Sequence, residues 1–232
     1  VLEIGSAEAG VLKAFTELGC TCLGIELQES RVEHARHFMA SEMEAGLVDF
    51  ISRDIYDINP DEDLPHRFDL IILKDVIEHI HDQARFMARV GDFLQPGGKI
   101  FYGFPPWHMP FGGHQQVAKN KLFSKVPYTH LLPMPLYRAM WKMVGETEQK
   151  VYNLAEIKET GISIQRFERI NREGGFQVAR KKYYLFNPIY RYKFGLKPRE
   201  QVGFIANIPR VRDFLTTGVY YLMELATTRN NP

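Results

Sequence analysis

Three observations predict an α/β fold built on a doubly wound, mostly parallel sheet. Short apolar strands alternate with helix-patterned segments through residues 1–103. The opening strand, residues 1–4, runs into a turn of small residues, Gly5-Ser6-Ala7-Glu8-Ala9-Gly10, that lets the backbone bend tightly under a ligand and enter a helix. Residues 68–73 form a continuous apolar run interrupted only by Asp69, as expected of a strand in the middle of a parallel sheet covered on both faces.

Composition fits a single domain over residues 1–232, since the chain is 45% hydrophobic and long enough to bury a sizeable core. With 29 basic and 28 acidic residues, the net charge of +1 calls for no nucleic-acid partner. Cys20 and Cys22, the only cysteines and separated by a single residue, suit neither a disulfide nor a zinc site and fit a reducing compartment. No apolar run approaches the ~18 residues of a membrane span and no signal peptide is visible. A cytoplasmic location is expected, with a targeting segment upstream of Val1 left open.

Beyond the first turn, Val11, Leu12, Phe15 and Leu18 recur at helical spacing, Gly19 closes the helix, and residues 21–25 form a second strand. Glu26-Leu27 follows, and an acid at position 26, 21 residues after Gly5, is placed to accept hydrogen bonds from both ribose hydroxyls of a nucleotide. Ser30 with Glu33 reads as a capping box for a helix through about Met43, with Val32, Ala35 and Met39 inward and His34 and His37 in solvent. A third strand, residues 48–52, ends in Arg53-Asp54-Ile55, where an acid followed by an apolar residue can bind an adenine amine and cover its face. Residues 57–66, with Pro60 and Pro65, form a surface loop. The strand over 68–73 runs into Lys74-Asp75-Val76-Ile77-Glu78-His79-Ile80, followed by a helix over about 82–94, a Gln95-Pro96-Gly97-Gly98 turn and a fifth strand over 99–103.

Taken together, the turn 3–10, Gly24-Ile25-Glu26, Arg53-Asp54, the stretch 68–80 and Pro96-Gly97-Gly98-Lys99 resemble, in order and spacing, the successive motifs of class I S-adenosylmethionine-dependent methyltransferases over about the first 105 residues. The resemblance implies a seven-stranded sheet whose last strand is antiparallel. It implies S-adenosylmethionine as cofactor, leaving as S-adenosylhomocysteine. The positions carried over as cofactor contacts are Glu3, Gly5, Ser6, Ala7, Gly10, Glu26, Leu27, Asp54, Ile55, Lys74, Asp75 and Val76. The family has glycine where this chain has Ala7 and often where it has Ala9, and a Cβ there would narrow the site or strain the backbone.

The cofactor-binding half is read as residues 1–114, followed by a lid insertion over 115–160 and C-terminal strands with a substrate-side cover over 161–232. In this fold the loop after the fifth strand faces the methyl group, which makes residues 104–116, with two histidines among aromatics and amides, the expected substrate wall. Pro105-Pro106-Trp107 resembles a Pro-Pro-aromatic signature of amino-group methyltransferases, but that signature follows strand four, which here ends in Lys74-Asp75-Val76. Residues 119–144 interleave Lys119, Lys121, Lys125, Arg138 and Lys142 with apolar side chains. That pattern admits a lid over an apolar or lipid-linked substrate, a peripheral membrane contact, a homodimer interface or an ordinary helical subdomain. Helices are expected at 153–160 and around Ile164, Phe167 and Ile170, strand six at 176–186, helical turns over 188–212 and strand seven at 219–225.

Methyl transfer from a sulfonium is an in-line displacement, so the protein must hold donor and acceptor collinear and take up a proton when the acceptor is a hydroxyl. A neutral histidine suits that task, and His114 is the first candidate, with His79 and His108 after it. Asp75, Glu78 and His79 stand at i, i+3 and i+4 and, with His114, offer donors to a divalent cation, a spacing that resembles quinone-precursor O-methyltransferases. Because Asp-x-x-Glu-His is widespread in the superfamily without bound metal, the expectation is no metal. The reading is an O-methyltransferase of a small molecule, glycan or lipid-linked intermediate. Its alternatives are an inactive binding protein of the same fold and a nicotinamide-dependent oxidoreductase, the latter disfavoured because Gly-x-Gly-x-x-Gly is missing from 5–10.

Overall fold

A computed structural model describes residues 1–226. In the first half, β1 (Leu2–Ile4), α1 (Gly10–Thr16), β2 (Cys22–Glu26), α2 (Glu29–Phe38), α3 (Ala40–Glu44), β3 (Val48–Ser52), β4 (Phe68–Lys74), α4 (Gln83–Gly91) and β5 (Leu94–Phe104) alternate as the apolar pattern requires. The capping box does not form: Gln28 occupies the cap of α2 without a side-chain bond, and the helix breaks at Met39. Val32, Ala35 and Met39 are buried as expected. The Gln95–Gly98 turn lies inside β5, where a shift in register against β4 absorbs the extra residues, and Gly97 takes a positive φ of 80°.

The second half continues with α5 (Met134–Met143), α6 (Glu148–Thr160), α7 (Ile164–Glu173), β6 (Phe176–Phe186), α8 (Tyr190–Phe194), β7 (Arg199–Glu200), α9 (Gly203–Ala206), α10 (Val211–Leu215) and β8 (Gly218–Leu225). The sheet order is β3-β2-β1-β4-β5-β8-β6-β7. The first five strands are parallel, and β8 runs antiparallel between β5 and β6. The sheet therefore has one strand more than the seven expected. β7 is a two-residue edge strand in the stretch read as helical turns, held to β6 at Tyr184 and Phe186.

Helices bury both faces of the sheet. On one side Leu2, Ile71, Leu73, Ile100, Tyr102 and Tyr221 meet Phe86 and Val90 of α4 and Ile164, Phe167 and Ile170 of α7. On the other, Ala9, Leu12, Val32, Ala35 and Met39 cover Cys22, Val48 and Phe50. The insertion after β5 has a small core of its own, Tyr137, Trp141, Val151 and Leu154, so the apolar residues of 119–144 are partly consumed in packing. Among the described residues, no helix is long and apolar enough to cross a membrane.

A partly buried ionic cluster fastens the C-terminal segment to the sheet. Glu168 of α7 accepts from the hydroxyls of Tyr183 (3.0 Å) and Tyr221 (2.8 Å), from Lys181 (2.9 Å) and from Arg212 of α10 (2.7 Å). These donors hold the Glu168 carboxyl down at about 2 against the opposing effect of burial. Glu168→Ala leaves the buried Arg212 guanidinium without its carboxylate, and is expected to cost about 3 kcal/mol in chemical denaturation.

Candidate cofactor and acceptor site

The strand order reverses between β1 and β4, and in open α/β sheets ligands bind beyond the carboxyl ends of the strands at such a reversal. There the turn after β1 places Gly5, Ala7 and Ala9 at φ of 73°, 46° and 64°. Gly5 is obligatory for space as well as dihedral, because a Cβ would lie 2.6 Å from Val76 Cγ2. Its N–H and that of Ser6 donate to the Ile25 carbonyl at 2.8 and 3.2 Å. Glu26 closes the turn, one carboxylate oxygen accepting from Ala7 N–H at 3.0 Å and the other from Gln28 N–H at 3.1 Å.

Ala7 and Ala9 resolve differently. The Ala9 side chain is fully buried in the core behind the turn, with Leu12 and Phe50, so it takes no room from a ligand. Ala7 borders the cavity and carries its methyl in left-handed backbone that glycine adopts at no steric cost.

That cavity, about 650 Å³, is lined by Glu3, Gly5, Ser6, Ala7, Gly10, Lys74 and Asp75 of the expected contacts. Val76 instead packs under Gly5. Leu27 is 68% exposed beside the turn, while Ile55 is buried in the main core and Asp54 accepts from Tyr56 N–H at 3.0 Å. Arg31, His34 and Phe38 on α2 also line the cavity. The sequence pattern signals only that His34 and Arg31 lie off the buried stripe of that helix, and nothing in it marks the ligand side. A second hollow, of about 570 Å³, opens at the opposite ends of β2, β3 and β4, away from these motifs.

Two carboxyls behind the cavity are buried without hydrogen-bond partners for the oxygens concerned. Glu3 Oε2 has none, and burial pushes the Glu3 carboxyl up to about 8 despite the Lys74 ammonium. A ligand ammonium brought to Glu3 would restore its ionised form. Lys74 Nζ meets Asp75 Oδ2 at 2.7 Å, and Asp75 itself sits at φ 57°. Both oxygens of Glu78 are likewise unpartnered, and burial, then the Asp75 charge, raises its carboxyl to about 8.

Next to Glu78 the rings of His79 and His114 meet edge to face, 5.2 Å between centroids. Ligating atoms of Glu78, His79 and His114 all lie within 4.8 Å of one another, a grouping that offers one oxygen and two nitrogens to a divalent cation. Burial, with the positive field of His79 and Lys193, depresses His114 to about 4, and burial also lowers His79. The turn carrying Glu78 is pinned from below, where Thr160 Oγ1 donates to the Glu78 carbonyl at 2.6 Å and Gln83 Nε2 to the Thr160 carbonyl at 2.6 Å.

The loop after β5 brings His114 to His79, but His108 stands outside that group. His108 Nδ1 pairs with the buried Asp213 carboxylate at 3.2 Å, and the same oxygen accepts from Ile164 N–H at 3.1 Å. Gly112 and Gly113 serve packing rather than ligand approach, since a Cβ would meet the Trp107 carbonyl at 2.2 Å and His130 Cβ at 2.3 Å. His114, following them, adopts φ 52°.

Sheet order, the antiparallel β8 and the turn under a carboxyl-edge cavity together define the class I methyltransferase fold. Residues 2–102 match the family described as methyltransferase domain. Over 98 residues, 42% of the chain, it is 28% identical to the ubiquinone biosynthesis O-methyltransferase of Rhodopseudomonas palustris strain BisB18, of which the match covers 36%. The match thus spans little more than a third of that relative's length. Among solved structures, an S-adenosylmethionine-dependent methyltransferase from Clostridium acetobutylicum superposes with a TM-score of 0.57 at 11% identity, covering 97% of this chain and 83% of that one. An O-methyltransferase from neocarzinostatin biosynthesis gives 0.54 at 10%, covering 97% and 48%. At these identities the likeness to the solved structures is one of fold.

Two outcomes follow from the site. Ala7→Gly is expected to stabilise the fold by up to about 1 kcal/mol in denaturant titrations by relieving the left-handed Cβ, whereas Ala9→Gly forfeits its buried methyl and gains nothing net. Glu78, raised when folded, contributes stability that is full below its usual value near 4.5 and is lost as pH rises through about 8. Glu78→Gln should flatten that decline in denaturation midpoints measured across the same window, leaving the part due to Glu3.

Proposed function

We propose that the chain binds S-adenosylmethionine in the 650 Å³ cavity and transfers its methyl group to a hydroxyl of a small or lipid-linked acceptor. The observation that carries this reading is the unpartnered, buried Glu3 carboxyl at the cavity, beside Lys74 and the Gly5–Gly10 turn. That donor set fits the cofactor's amino acid end, with Glu3 opposite its ammonium and Lys74 able to meet its carboxylate. Glu26 has two lone-pair sites left for ribose hydroxyls after binding Ala7 and Gln28 N–H. Leu27, largely exposed, is free to cover a base.

When bound, the sulfonium supplies an electrophilic methyl group. His114, neutral throughout the physiological range because its pKa is near 4, would accept the hydroxyl proton as the acceptor oxygen attacks, and His79 orients its ring. The names of the curated relatives support an oxygen acceptor. One second reading has its own observation: Glu78, His79 and His114 would hold a divalent cation that lowers the acceptor's hydroxyl pKa.

Calorimetry is expected to show micromolar-range binding of S-adenosylmethionine and none of NAD, and absence of the former sinks the proposal. His114→Ala should leave that binding intact and reduce S-adenosylhomocysteine formation by about 10²–10⁴-fold. Unchanged turnover would remove His114 as the base, and loss of turnover on chelation, restored by added cation, would select the metal reading. Because the free base is the active form and its pKa is depressed, kcat/KM should hold level as pH falls from neutrality and drop only near about 4.

A further inference from the structure

The connection between β6 and β8 leaves the sheet at its carboxyl edge, since Phe104 at the end of β5 pairs with Val219 at the start of β8. Every residue from 191 to 200 is exposed. Large apolar side chains stand out of it into solvent: Tyr192 is 82% exposed, Phe194 65% and Phe204 78%, with Leu196 and Val202 between them. Isolated exposed apolar residues are ordinary, but a run of aromatics on one connection is not.

Charge follows the same stretch. Residues 191–210 carry Arg191, Lys193, Lys197, Arg199 and Arg210 against the single carboxylate Glu200, in a chain of net charge +1. Glu200 is taken by Lys182, and none of the five cations is ion-paired among the described residues. Unpaired cations interleaved with exposed aromatics complement an anionic lipid surface, where headgroups attract the cations and the rings enter the interfacial layer. A second copy of this chain is a poorer occupant, because a two-fold contact would set the five cations against their own images.

We propose that residues 191–204 form a docking surface for an anionic phospholipid bilayer, turning the carboxyl-edge site toward the lipid. Tyr128 of the insertion meets the same β6–β8 connection further on, its ring 6.2 Å from Phe214 and its hydroxyl donating to the Phe214 carbonyl at 3.3 Å. The inference rests on the methyl-transfer reading only for what docking would serve, and lipid binding is measured without cofactor or acceptor, so the two fail separately.

The test is co-sedimentation of the whole chain with phosphatidylcholine vesicles prepared with and without phosphatidylglycerol. Binding is expected to the anionic vesicles, to weaken with salt, and to be absent or far weaker on pure phosphatidylcholine. Replacing Arg191, Lys197 and Arg199 together by Gln should lower the partition constant on the order of a hundredfold. Tyr192→Ser with Phe204→Ser should weaken it at unchanged charge. All five side chains are exposed, so circular dichroism should report an unchanged fold. The proposal falls if the wild type ignores anionic vesicles, if either variant binds as the wild type does, or if light scattering shows dimers that Phe204→Ser disperses.

Discussion

One carboxylate shapes the site. Glu26 accepts from Ala7 N–H across the turn and from Gln28 N–H at the start of α2, so the loop after β1 and the helix after β2 are held by the same group. Without that clamp, the left-handed residues of the turn would be held by bonds to the Ile25 carbonyl, the Ser6–Ala9 bond and the Lys13 N–H on the Ala9 carbonyl, and Ala7 N–H would lose its partner. Charge-assisted bonds to backbone N–H groups are among the stronger interactions open to a half-exposed loop. Glu26 is itself buried, and in the proposed complex the clamp and a ribose contact would draw on one carboxylate.

The first half of the fold was legible because its strands are short and apolar, and 48–52 matches the observed strand to the residue, as 176–186 does in the second half. What escaped prediction has physical causes. Ser30 and Glu33 have the capping-box spacing, but Glu26 already binds Gln28 and starts the helix earlier. Pro96-Gly97-Gly98 reads as a turn, yet the parallel neighbour β4 draws the residues into one bulged strand. β7 pairs through only two residues, too few for any periodicity to register.

The site was legible as a set of motifs and not as a geometry. Glu3, Gly5, Ser6, Ala7, Gly10, Lys74 and Asp75 gather at one cavity because they end β1 and β4, the adjacent strands where the order reverses. His79 and His114 meet although they are far apart in sequence, whereas His108, only six positions before His114, turns to Asp213. Spacing cannot separate two histidines on an irregular loop, since neither helix nor strand fixes their directions. Spacing marks Glu78 as a donor for a cation, and its burial without a partner could come only from three dimensions.

Asp213 and Arg212, adjacent in sequence, point to different anchors: one to His108 and the start of α7, the other to Glu168. With Asn187 N–H donating to Thr217 Oγ1 and Gln201 N–H to the Tyr183 carbonyl, both feet of the connection over the sheet edge are riveted while its crown touches little. The connection is thus anchored twice, to the loop after β5 through His108 and to α7 through Glu168, while the exposed residues between its feet are left free of the fold's own packing.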